Sequence, residues 1–131
     1  MAWRVTVVVV AVGVLGWLGV MQRDARLVAR GIEAAQPPRA PGDLARADAA
    51  FRGATLLNPD TGPDVSRAFV LQAGGRGDAA VALLEDVVRR EPENLGAWRV
   101  LLTITRDSEP VIGRRALAAV RELDPVNAPA R

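Results

Sequence analysis

Hydrophobic and polar positions follow two different rules along this chain. From Val5 to Met21 no residue is charged, and Thr6 is the lone polar one. A helix through that stretch is apolar on every face. Beyond about residue 28 the apolar positions recur at helical spacing instead, between short polar segments that carry proline. Gly113, Leu117, Val120 and Leu123, for example, stand at i, i+4, i+7 and i+10, one side of a helix.

Stop and start signals set the expected elements. Nothing interrupts a helix from about Trp3 to Ala35, because the first breaker is Pro37; Gly31 is the weak point within it. "QPPRAPGD" reads as a stiff, extended turn, and Asp43 is placed to cap the next helix. Pro63 starts another helix. Asn94 caps one from Leu95 to Arg106, and Asp107-Ser108-Glu109-Pro110 turns into a last helix, Val111 to Leu123, that stops before Pro125.

These signals repeat. Pro59, Pro92 and Pro125 are spaced by 33 residues. The same step relates Ala47, Ala80 and Gly113 (small), Phe51, Leu84 and Leu117 (large and apolar), and Ala54, Val87 and Val120. It also relates the turn formers Gly42, Gly75 and Ser108, and the apolar sets Ile32, Val65, Trp98 and Ala35, Ala68, Leu101. An ungapped period across so many columns is the mark of a stacked array of helix pairs. Arg90 breaks a column that Leu57 and Leu123 otherwise fill, and reads as a solvated variation.

The pattern resembles the tetratricopeptide repeat. "NLGAWRVLL" supplies Trp98, Leu101 and Leu102; "AGGRGDAAVALLEDVVRREP" supplies Gly75, Ala80, Leu84, Val87 and Pro92; "GDLARADAAFRGATLLNP" supplies Gly42, Ala47, Phe51, Ala54, Leu57 and Pro59. The resemblance covers about residues 28–126. The second helix of each unit matches in all three, the first helix only in the third, and the period is one residue short of the family's usual 34. Ankyrin repeats share the 33-residue period, but their Thr-Pro-Leu-His signature is absent. The resemblance implies an α-solenoid of about three helix pairs with a concave groove lined by the first helices. No polar capping helix follows Leu123, so the face of Leu117, Val120 and Leu123 is expected to receive a partner.

The first segment reads as a transmembrane anchor. Its apolar core, Val5 to Met21, sits at the short end of the ~17–25 residues that span a bilayer. Trp3 and Trp17 suit the two interfaces, and Arg4 can snorkel. The expected organisation is an anchor over 1–22, a continuing helix over 23–36, a Pro-rich turn over 37–42, repeats over 43–126 and a tail over 127–131. The implied location is the cell membrane, single-pass, with the bilayer met through residues 3–22. Arg23, Arg26 and Arg30 outnumber Arg4 and lean the repeats toward the cytoplasm. A cleaved export signal is the rival, although Trp17-Leu18-Gly19 is a poor cleavage site.

Composition then narrows the chemistry. The chain has neither Cys nor His, so it lacks disulfides, thiolates and the usual general base. All 17 basic residues are Arg against 15 acidic ones, net +2. The pI near 10.8 reflects arginine's high pKa rather than a basic surface, and no basic stripe with interleaved aromatics points to nucleic acid. "GGRGD" has neither the preceding strand nor the following Lys-Ser/Thr of a phosphate loop. Glu85 and Asp86 are adjacent and face different sides of their helix.

The expectation is therefore no enzyme, no metal and no cofactor. It is a membrane-anchored adaptor that assembles a membrane or envelope complex through an unidentified protein or peptide partner. The alternatives are an exported binding protein or an accessory subunit of an envelope-biogenesis enzyme. The family's Lys-Arg-Asn carboxylate clamp is absent. The candidate groove is Phe69 and Gln72 with Arg99, Thr103 and Arg106, the last three sharing a helix face at i, i+4 and i+7.

Overall fold

In the computed structural model, residues 2–36, 40, 42–55, 60–127 and 129 are described, with no side-chain description at 2–9, 11 and 12. Pro37, Pro38, Arg39, Pro41 and Leu56 to Pro59, parts of the two Pro-rich turns, lie outside them. Among the described residues the chain is all-α. Its helices are α1 (Ala2–Ala35), α2 (Asp43–Thr55), α3 (Gly62–Ala73), α4 (Gly77–Arg90), α5 (Leu95–Thr105) and α6 (Pro110–Leu123). Each packs on the next in sequence, and α3 also packs on α5. The helices thus pair as α1–α2, α3–α4 and α5–α6. The starts of α3 and α5, and of α4 and α6, are separated by the 33-residue step of the sequence columns.

The single-pass anchor does not survive, and with it goes the membrane location built on it. Among the described residues no helix is long and apolar enough to cross a membrane. Much of the expected span, residues 5–9, 11 and 12, lies outside the described side chains. A segment of about 20 residues begun at Val10 already takes in Arg23, Asp24 and Arg26. The helix itself runs unbroken from Ala2 to Ala35. Val14, Leu15, Trp17 and Leu18 are exposed on it, and only toward its C-terminal half does α1 meet α2.

Local chemistry explains the ends. Asn94 accepts a hydrogen bond from the Ala97 N–H at 2.9 Å, satisfying one of the free donors of α5. Pro63 and Pro110 occupy first-turn positions, where a missing N–H costs nothing. Asp78 opens α4 and Arg89 and Arg90 close it, matching charge to the helix dipole. Gly42 and Gly75 turn with φ of +87° and +74°, a region other residues avoid. Ser108, the third member of that column, turns without positive φ and donates its hydroxyl to the Ile104 carbonyl. Asp43 opens α2 but does not cap it forward. Its carboxylate turns back to the Ala40 N–H and also takes Arg46.

The columns become the core. Ala47, Ala80 and Gly113 are buried, as are Ala54, Val87 and Val120. Phe51 and Leu84 are buried too, while Leu117, in the last pair, is half-buried. One large cluster joins α3 to α6 around Leu84, Val87, Leu101 and Val120, and a small one gathers Ala47, Phe51 and Val70 beside α1. The expected open last face is largely closed, for Val120 is buried and Leu117 and Leu123 pack against the large cluster. Arg90, the break in its column, donates to Asp64 at 2.9 Å and pairs with Asp86, tying α4 to α3.

Candidate functional site

The first helices of successive pairs are not packed alike. α3 lies on α5, whereas between α1 and α3 an open pocket of about 320 Å³ remains. Three helix faces build it. From α1 come Ile32 and Ala35, with Gln36 just beyond its end. α3 gives Ser66, Phe69, Val70 and Ala73, at i, i+3, i+4 and i+7, and α2 gives Leu44 and Phe51. Phe51 is buried as the floor. Phe69 and Ile32 stand at the rim, 51% and 47% exposed. The lining is apolar apart from Ser66 and Gln36, and its volume falls at the small end of the ~300–1,000 Å³ typical of ligand pockets.

At the floor of the pocket α2 meets α1 through the Phe51 ring. Gly31 lies under the Phe51 ring so tightly that a Cβ there would stand 2.7 Å from Cζ. Leu27 packs near Gly53 on the same interface. Alanines fill the neighbouring columns of this pair, so little bulk remains to fill the space toward α3.

Beside this pocket lies a second, of about 440 Å³, that shares Leu44 and Val70 with it and adds Asp48, Arg52, Gly74 and Arg76. Asp48 is its centre. Its Oδ1 accepts from Arg67 Nε at 2.7 Å, and its Oδ2 accepts from Arg52 Nη2 and Arg76 Nη2, each at 2.7 Å. Burial pushes the carboxyl up, but the hydrogen bonds from Arg67 and Arg76 and the charges of Arg67 and Arg52 outweigh it and hold the group down at about 2. One carboxylate thereby joins α2, α3 and the α3–α4 turn.

A second polar group marks the junction of the second and third pairs. The buried Thr61 donates to Glu91 Oε2 at 2.6 Å and accepts from Asn94 Nδ2 at 2.9 Å. Thr61 and Asn94 are one repeat apart, so equivalent turns touch each other. The bonds from Thr61 and Asn94 lower the pKa of Glu91. Trp98 donates its indole N–H to the Pro92 carbonyl at 2.7 Å, and Arg115 lies over its ring.

Of the residues singled out by spacing, two stand on α3 and three on or at the end of α5, helices that pack on each other. Phe69 lines the apolar pocket. Gln72, three residues on, is not among its lining and sets its Oε1 beside Gly77 at the α3–α4 turn. Arg99 donates to Asp124 after α6. Thr103 donates to the Arg99 carbonyl, and Arg106 lies exposed at the C-terminus of α5. Ile32 and Ala35, known from the sequence only as repeat columns, join Phe69 instead. The Asp48 cluster carries one local signal, the i, i+4 pair with Arg52, while Arg67 and Arg76 come from 19 and 28 residues away. Among the described residues no three His, Cys, Asp or Glu side chains gather where they could hold a metal ion. Compared with protein-family models, with curated proteins and with solved structures, the chain matches none.

Proposed function

We propose that this chain is a non-enzymatic adaptor of tetratricopeptide-like helix pairs that holds a protein partner by an apolar side chain in the pocket between α1 and α3. The observation that carries the reading is Phe69, a large aromatic left half-exposed at the mouth of an apolar slot. Aromatic side chains at a desolvated pocket are the kind that concentrate binding energy. The 33-residue recurrence of helix starts supports the tetratricopeptide-like part. Ser66 is the sole hydroxyl in the pocket lining, and a chain without His or Lys offers it no neighbouring base. The pocket carries this reading, because a helical architecture serves many unrelated tasks.

A photo-crosslinking residue at position 69, in the full chain and its native cell, tests the reading. One discrete protein should be captured from position 69 and not from a still more exposed apolar control, Val111 on α6. Capture at both positions alike, or at neither, would count against the pocket. Phe69→Asp should abolish that complex while leaving the melting temperature within a few degrees, because the side chain is rim and not core.

A further inference from the structure

The cationic pocket beside the apolar one tells what kind of segment the partner presents. Resting on the reading just given, we infer that the bound segment carries a carboxylate close to its apolar anchor, received by Arg52, Arg76 and Arg67. Three guanidiniums converge on Asp48. Arg52 and Arg76 both bond the same oxygen, Oδ2, at 2.7 Å, so their Nη2 atoms are at most twice that distance apart. Among the described residues no second carboxylate lies within ion-pair distance of any of the three. The cluster therefore holds two positive charges in excess.

In the other ion pairs arginine and carboxylate meet without such an excess. Arg99 has Asp124, Arg115 has Glu85, and Arg90 has both Asp64 and Asp86. Each guanidinium carries five N–H donors, and Asp48 takes one from each of its three partners. Arg67 is held beneath with its side chain 23% exposed, while those of Arg52 and Arg76 are more than half exposed and open to an incoming anion. A carboxylate fits the planar donor fork of arginine and relieves the crowding of like charges. The two pockets share Leu44 and Val70 as a common wall. A single extended segment can therefore place an apolar side chain on one side of that wall and an acidic one on the other.

The test is selection of random twelve-residue peptides, displayed on phage, against the full chain. Enriched peptides should combine a large apolar residue with Asp or Glu a few positions away. One such peptide should lose about tenfold in affinity when its acid becomes Gln. It should lose about the same on the variant Arg52→Gln/Arg76→Gln, and little more when both changes are combined. Arg67 still holds Asp48 in that variant, and the peptide-side change reports even if the variant folds poorly. Peptides that need Phe69 yet show no acidic preference, or acid and arginine changes that act additively, would overturn this inference and leave the apolar pocket standing. Peptides that bind equally well to Phe69→Asp would overturn the pocket itself, and this inference with it.

Discussion

Leu84 and Phe51 occupy the same column of the repeat, but the cores around them differ. Leu84 lies in a cluster that runs from α3 to α6 and includes Leu71, Val87, Trp98, Leu101 and Val120. Phe51 shares its cluster with Ala47 and Val70, with Val28, Ala34, Ala35 and Leu44 partly covered around it. In the first region interlocking aliphatic side chains fill the interior. In the second, one ring seats on a glycine and one carboxylate gathers three arginines. The contrast shows that a repeat register fixes which positions turn inward but not how much volume they bring. Where the columns hold Ala, space is left over, and here it opens as the pocket at Phe69.

The largest effect should come from the well-filled region. Leu84 is fully buried, and Leu84→Ala should cost about 2–5 kcal/mol through lost burial and an unfilled cavity. Against the ~5–15 kcal/mol of a typical domain that is most of the stability. Denaturant unfolding followed at Trp98, which belongs to the same cluster, should shift its midpoint sharply. An unchanged midpoint would mean that α4 does not lock the α3–α6 core.

The sparser region should break differently. Gly31→Ala sets a methyl 2.7 Å from the Phe51 ring, and overpacking of this kind costs about 1–3 kcal/mol. The damage should stay local. Amide exchange should quicken in α2 and in α1 near residue 31 and hold steady in α5 and α6. Phe51→Leu should restore part of the loss by making room, although Leu alone weakens the wild-type interface. Equal loss of protection in all six helices would erase the distinction between the two cores.

Much of this was legible in the sequence, for identifiable reasons. Pro63, Asn94 and Pro110 are local signals that act within one turn, so helix starts could be read directly. Leu84, Val87 and Val120 repeat at a fixed step, so their burial could be read from the column. Gly31 looked only like a weak point in a helix, since its partner Phe51 is 20 residues away. Arg99, Thr103 and Arg106 looked like a groove because they share a helix face. Arg99, however, meets Asp124 across the pair, a contact that periodicity along one helix cannot contain. Two of the arginines of Asp48, Arg67 and Arg76, are hidden for the same reason, whereas Arg52 stands one turn on in α2. The apolar run before residue 22 suggested a bilayer span from composition alone, and among the described residues the length and apolarity such a span requires are not met.

The smallest effect, and the one that separates the two regions by pH, should come from Asp48. Its pKa is about 2 in the folded chain against an ordinary 3.8. A carboxyl lowered by folding stabilises fully above its unfolded pKa, and that stability is lost as pH falls through the folded value. The window is thus pH 4 down to pH 2. The shift corresponds to up to about 2 kcal/mol, less whatever solvent screening at the half-exposed Arg52 and Arg76 removes. Asp48 joins α2 to α3, so α2 should lose amide protection in this window before α5 does. Glu91 is lowered as well, by Thr61 and Asn94, so acid must also reach the later pairs. The informative quantity is therefore the difference from Asp48→Asn, which carries no charge to titrate. That variant should be less stable at pH 7, with three arginines left around a neutral amide, and from pH 4 to pH 2 its α2 should lose less protection than in the parent chain, the remainder coming from Asp43 at the start of α2, whose carboxyl the Ala40 N–H and Arg46 also lower. If α2 in the variant still loosens over that range as much as in the parent chain, the ionic cluster is not what holds the first pair to the rest.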